Sequence, residues 1–481
     1  MKLKQLSLAL FAVCGGLASA PAFALPASQY TNASEFSGDT LNIRISGASA
    51  QDAGVLGSAL SYCVAGTLHR FQISNNFAFF CTPDIGTGAG QIQVPAGRTK
   101  VAIYKYAVGG SGSGVDPVNL NQTLPFLDLA KIATSPACSG TNLTTSTPDF
   151  DGTGPLATYV NNVCGGASSL LTTGATTYIG LSDVEPAFFT NNTANLSSTP
   201  LSTLIFGVPV SLNIRNALQT QQGLTVGSDT EANMPSLTSA QITSAYTQAG
   251  QSWAGIGVTS GLADDTIYVA RRVNSSGTQK TYEALFAKTP NGEPAFKSCY
   301  PGNEPFVQPD SGTTTGDAAA LCASAPPLVF AGSGGGDVRT CMINHHNNNR
   351  GAIGILTGED KPGSANWRFV KLDGHAPTHA NVAAGRYTRY TDASFNVRVN
   401  VNPTSSALGY TNFVNRFKLD LANPTIIGLI NGSDQTFGPS GLMVSYVSGT
   451  PDFTGANRVN PWNRLVGGTA IDNCQSPKAP F

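Results

Sequence analysis

The segment 265–279 constrains this chain more than any other. An alternating apolar run, Thr266-Ile267-Tyr268-Val269-Ala270, meets Arg271-Arg272 and passes directly into Val273-Asn274-Ser275-Ser276-Gly277-Thr278. Period-two alternation predicts a strand, and the Ser/Gly/Thr cluster after it predicts a turn that caps a helix over about 279–288, with Tyr282, Leu285 and Phe286 on one face. A helix start presents free N–H groups and the positive end of its dipole, so a strand–turn–helix of this kind can hold a tetrahedral anion. Arg272 adds a fork of charged donors suited to phosphate or carboxylate. The plainer alternative, an ordinary N-cap beside a surface arginine, stays open at this point.

The rest of the chain repeats that alternation of strand and helix. Leu41-Asn42-Ile43-Arg44-Ile45 alternates and leads through Ser46-Gly47-Ala48-Ser49-Ala50 into a helical stretch from about 51 to 63. Further strands are expected over 101–108, followed by the Gly/Ser turn 109–114, over 177–183, and over 204–210. Strands alternating with helices predict an α/β fold with mixed, mostly parallel sheets, where ligands gather at the carboxyl ends of strands.

The amino terminus sets the expected compartment. Residues 1–4 are basic, 6–18 are apolar, and Ala22-Phe23-Ala24 has the small-x-small form of a signal-peptidase site, so residues 1–24 read as a cleaved signal peptide of a periplasmic or secreted protein. Cys14 departs with it, and no small residue precedes it as in a lipidated cysteine. No other apolar run approaches the roughly 20 residues of a spanning helix. Charged residues are only 11% of the chain, and the formal net charge is -1, which excludes the clustered basic surface that nucleic acid requires.

Eight cysteines remain after Cys14, an even number in an oxidising compartment, which predicts disulfides. Sequence neighbours suggest Cys63 with Cys81, Cys138 with Cys164 and Cys299 with Cys322, leaving Cys341 with Cys474. No pair has metal-site CxxC spacing. His345-His346 is read as a solvated polar loop, and Pro377 between His375 and His379 argues against one helix face presenting both. Gly332-Ser333-Gly334-Gly335-Gly336-Asp337 lacks the strand, helix and downstream acid of a dinucleotide fingerprint and is read as a flexible loop at a cleft. No Gly-x-Ser-x-Gly elbow is present, so no enzyme and no cofactor is expected.

Taken in order, Ile45 to Ala50, the turn 109–114, Gly180-Leu181-Ser182-Asp183, the segment 235–242 leading to Trp253, Arg-Arg-x-x-x-Ser-Gly-Thr at 271–278, and Arg350-Gly351-Ala352-Ile353-Gly354-Ile355 resemble the bacterial periplasmic phosphate-binding proteins of ABC uptake systems. These are type II periplasmic binding proteins, and the resemblance covers most of the chain. It implies a two-lobed Venus-flytrap fold with a hinge of two crossing strands near Val210 and Thr357, lobe 1 taking 38–209 plus 358–481 and lobe 2 taking 210–357. It implies an anion site made of Ala48, Ser49, Ser111, Ser113, Asp183, Arg272, Asn274, Ser276, Gly277 and Thr278, in a monomer that delivers inorganic phosphate to membrane ABC transporter subunits. Asp183 would accept the proton of hydrogen phosphate, which sulfate lacks, although it can also serve as a cap. Asn274 replaces the family's usual aspartate, which opens the choice of oxyanion. Asp52 adds a negative charge near the first turn. A Thr/Ser/Asn-rich insertion lies over 115–176, and the cysteine-bearing stretch from Cys299 to Cys341 is a further elaboration. These departures suit an alternative, a secreted relative with a surface, matrix or adhesion role and a degenerate cleft.

Overall fold

The computed structural model describes residues 24–31, 38–138, 143–146, 159–190, 192–248, 250–286, 317–324, 326–399, 407–422, 427, 434–445, 458–466 and 470–479. The expected signal peptide lies outside these residues apart from Ala24. Among the described residues no helix is long and apolar enough to cross a membrane.

The chain builds two mixed α/β sheets that share one strand. In the first, β1 (Thr40–Gly47) runs parallel to β2 (Lys100–Tyr106) on one side and to β3 (Ile179–Ser182) on the other. Every residue of β1 except Arg44 is buried, as expected of a central parallel strand covered on both faces. The long β4 (Leu196–Ser211) begins in this sheet and ends in the second one. There β5 (Asp264–Arg272) lies between β6 (Val329–Gly332) and β7 (Arg350–Gly354), parallel to both. The end of β4 pairs antiparallel with β7 and with β8 (Trp367–Leu372), while its first half pairs antiparallel with β9 (Tyr390–Arg398). Phe206 and Gly207 pair with Thr357 and Leu356, so two chain crossings lie side by side. After Thr357 the chain first adds β8 to the second sheet and returns to the first at β9.

Helices pack on these sheets: α1 (Asp52–Tyr62), α2 (Leu212–Gln221), α3 (Ser239–Thr247), α4 (Gly277–Leu285), α5 (Gly335–Asn347) and α6 (Ala407–Leu421). The start of α3 is fixed by a capping box in which Thr238 Oγ1 accepts from Gln241 N at 3.2 Å and Gln241 Oε1 accepts from Thr238 N at 2.9 Å. One continuous apolar core runs through both sheets, from Ile43, Ile103 and Leu181 through Phe206 and Val210 to Trp253, Tyr282 and Ile353. The sheets are therefore coupled through β4 and the side chains around it.

Three disulfides lie among the described residues: Cys63–Cys81, Cys138–Cys164 and Cys322–Cys341. The first two are as the spacing suggested. The third corrects two expected pairings, Cys299 with Cys322 and Cys341 with Cys474. The short helix Ala318–Leu321 packs beside α5 and brings Cys322 to a Cα separation of 5.2 Å from Cys341, so neither is left for a distant partner. Cys299 lies outside the described residues, and Cys474 is disulfide-bonded. Cys63 and Cys81, 18 apart in sequence, tie the end of α1 to the strand Asn76–Cys81. Replacing both by alanine is expected to cost about 3 kcal/mol, read as a lower midpoint of chemical denaturation with a steeper slope, because the chain without the crosslink exposes more surface when unfolded.

Two further expectations are corrected. Residues 332–337 form the end of β6 and the start of α5, a strand–turn–helix that the sequence reading did not recognise, because its glycines hide the helical pattern. His345 and His346 stand in the last turn of α5: His345 is buried and stacks on Tyr268, and His346 Nδ1 accepts from Asn213 N at 3.2 Å.

Candidate oxyanion site

Three small-residue turns meet because their glycines allow it. Gly47 ends β1 at φ +111, and a Cβ there would lie 1.9 Å from Leu181 O. A Cβ on Gly180 would lie 1.9 Å from Gly114 O. Only glycine permits this approach, which brings the turn 109–114 onto the carboxyl ends of β1 and β3 and sets Ser111 against Asp183, whose N–H donates to Ser111 Oγ at 3.0 Å.

The second sheet supplies the opposing surface. β5 delivers Arg272, and Ser276 caps α4 by accepting from Gln279 N at 3.4 Å. The helix therefore begins at Gly277, two residues before its expected start. A Cβ on Gly277 would come within 2.1 Å of Ser111 Oγ and 2.8 Å of Asp183 Cβ, so the start of α4 lies directly on the first sheet's turn. Gly112 N donates to Ser275 O at 2.9 Å in the same contact. The α4 helix is anchored by Tyr282, whose hydroxyl bonds the Gly207 carbonyl and accepts from Leu356 N at 3.1 Å, at the paired crossings.

Arg272 and Asp183 are 4% and 2% exposed. The guanidinium donates from Nε to Gly332 O at 3.3 Å and from a terminal nitrogen to Ser333 O at 2.7 Å, which fixes its plane. Burial lowers Arg272 to about 10, opposed by the charges of Asp183 and Asp337. Burial pushes the Asp183 carboxyl up to about 6 from an ordinary 3.8, opposed by Arg272, the Ser111 hydroxyl, Lys105 and Gln51. Oδ1 of Asp183 is buried with no hydrogen-bond partner. Because the folded carboxyl holds its proton more tightly, the folded state binds more protons than the unfolded chain between those two values. Stability from this group is therefore greatest in acid and falls as pH rises to about 6. Asp183→Asn is expected to flatten that fall in a pH series of denaturation midpoints.

Beside this pair lies a cavity of about 350 Å³. Ser49, Arg272 and Thr278 line it, as do Gly334, Gly335 and Gly336 at the start of α5. Asp183, Ser111, Ser276 and Gly277 stand behind the α4 contact and are not among its lining residues. Of the other residues implied by the sequence, Ala48 donates its N–H to Leu181 O at 2.8 Å, Ser113 donates its hydroxyl to Gly110 O at 2.8 Å, and Asn274 Oδ1 lies 3.5 Å from an Arg271 guanidinium nitrogen.

The sequence reading missed Lys105. It is fully buried, pairs with Asp52 Oδ1 at 3.0 Å and donates to the carbonyls of Gly47 at 2.8 Å and Ala48 at 3.1 Å. The charge that Asp52 brings to the first turn is thus matched from beneath. A signal was available: Lys105 is in period-two register with Val101 and Ile103 on the buried face of β2.

No protein-family model matches the chain, and no curated protein matches it. Solved structures do. A protein assigned as a phosphate ABC transporter substrate-binding protein, with bound phosphate, from Clostridium perfringens is similar at 14% identity and TM-score 0.40, over 81% of this chain and 98% of that one. A protein assigned as phosphate-binding from Planctomyces limnophilus is similar at 10% identity and TM-score 0.33, over 80% and 90%. An ABC-type phosphate transport receptor from Vibrio cholerae is similar at 16% identity and TM-score 0.31, over 52% and 77%.

Proposed function

We propose that the chain is an extracytoplasmic solute-binding protein that holds a tetrahedral oxyanion, inorganic phosphate first, between two lobes and passes it to a membrane ABC transporter. The observation that carries this reading is two buried groups of opposite charge near the start of α4: a guanidinium fixed by backbone carbonyls, and a carboxylate whose Oδ1 has no hydrogen-bond partner. A buried acceptor without a donor is costly, and the protonated oxygen of hydrogen phosphate supplies a donor. Arg272, Thr278 and Ser49 would take the ionised oxygens from the cavity side, with Ser111 and the α4 amides completing the shell once the α4 turn lifts from the first sheet. The lobes divide at the paired crossings of Phe206–Gly207 with Leu356–Thr357, and the hinge works there.

Calorimetric titration with phosphate, arsenate and sulfate near pH 7 tests this. Phosphate is expected to bind at least tenfold more tightly than sulfate, and Asp183→Asn to narrow that ratio. Equal affinity for the two anions in the parent protein would remove Asp183 from the role of proton acceptor. The direct seating of Gly277 on Ser111 and Asp183 favours a second reading, a secreted protein whose cleft has closed over and whose role lies at a surface. That reading expects no heat with any of the three anions.

A further inference from the structure

The cavity beside Arg272 is too large for the anion alone. A water takes up about 30 Å³ of liquid, and cavities from about 300 Å³ upward are the size that small organic ligands fill. This one measures about 350 Å³. Its lining also carries charges of both signs. Arg272 and Thr278 supply donors from β5 and the start of α4, and Arg339 adds a second guanidinium. Asp337, Glu359 and Asp360 line it as well.

Those acids are unequally satisfied. Asp337 Oδ2 accepts from Ser333 Oγ at 2.8 Å and Gly334 N at 3.0 Å, and Asp360 is ion-paired with Arg339 and accepts from Thr357 Oγ1 at 3.1 Å. Glu359 has only a 3.4 Å contact from Thr357 Oγ1 to Oε1, and its Oε2 is buried with no hydrogen-bond partner. Burial, with the charges of Asp183 and Asp52, holds the Glu359 carboxyl well above the usual carboxylate range, so it can donate as well as accept. Hydroxyl groups would serve Glu359 and its neighbours alike, since each both donates and accepts. No aromatic side chain lines the cavity among the described residues, which removes the stacking face that a nucleobase uses and the ring cage that a quaternary ammonium uses.

We propose that the cavity takes the phosphate monoester of a small polyhydroxylated compound, its phosphate at Arg272 and Thr278 and its hydroxyls donating to Glu359 and the neighbouring acids. This rests on the oxyanion reading and extends it to the group that the phosphate carries.

Glycerophosphate, inositol monophosphate, free inositol and inorganic phosphate, each titrated calorimetrically into the full chain, separate the two claims. One or both esters are expected to bind at least tenfold more tightly than inorganic phosphate, with free inositol giving no heat. Glu359→Gln is expected to lower the ester-to-phosphate affinity ratio at least fivefold, with the far-ultraviolet circular dichroism of the variant confirming that it folds. Inorganic phosphate binding as well as or better than both esters overturns the ester proposal and leaves the oxyanion site standing. Absence of binding by every phosphate compound overturns both. An ester preference that Glu359→Gln leaves intact overturns the role given to the acids.

Discussion

Lys105→Met is expected to lower the stability of the folded protein by about 3 kcal/mol, measured as a shift in the midpoint of urea denaturation. Removing one member of a buried ion pair typically costs about 3–5 kcal/mol, because the other charge remains without its partner. The lower end applies, since the Asp52 side chain keeps 24% of its exposure while that of Lys105 keeps 0%. Two backbone carbonyls, of Gly47 and Ala48, lose their donor at the same time. Lys105→Met combined with Asp52→Asn is expected to recover much of the loss, because replacing both members of such a pair costs far less than stranding one. A double variant no more stable than the single one would show that the lysine acts through the two carbonyls and not through the pair.

The second large effect is on binding. Arg272→Ala is expected to weaken phosphate binding at least tenfold, about 1.4 kcal/mol or more, as a charge-assisted contact is lost from a buried site. The Gly332 and Ser333 carbonyls that now receive the guanidinium would lose their donor too, so the variant's stability should be measured alongside. Unchanged affinity in a folded variant would place the anion away from β5. Arg272→Lys keeps the charge without the planar fork, and is expected to recover only part of the affinity.

The turn after β5 was readable because its signals agree: an alternating strand, an arginine at its end, and a Ser-Gly-Thr start to a helix, with Ser276 as the cap. The approach of Ser111 to Asp183 follows from glycines that the sequence displays, but the partner each glycine faces is a long-range fact. Gly114 against Gly180 is set by the sheet and not by either neighbourhood. The start of α5 was hidden because Gly334-Gly335-Gly336 is weak helix sequence, and the helix is held by packing through Val338, Cys341 and Met342. Cysteine pairing by sequence proximity failed at Cys322 because proximity ranks loop lengths, while the bond depends on which helices touch. Glu359 carried no local signal, since its lack of a partner arises only in the folded cavity it lines together with Thr357 and the α5 start.

The linkage between Asp183 and Arg272 also has a consequence for pH. Burial holds the Asp183 carboxyl up at about 6, and the proximity of Arg272 opposes that rise. A phosphate that donates a hydrogen bond to this group needs it ionised, so affinity is expected to fall as pH drops below about 6.

The most direct measurement is the crystal structure of the protein saturated with phosphate. The expected result is one phosphate within hydrogen-bond distance of the Arg272 guanidinium and the Asp183 carboxylate together, at the start of α4. A phosphate bound elsewhere, or a saturated crystal in which those two groups touch no anion, would contradict it.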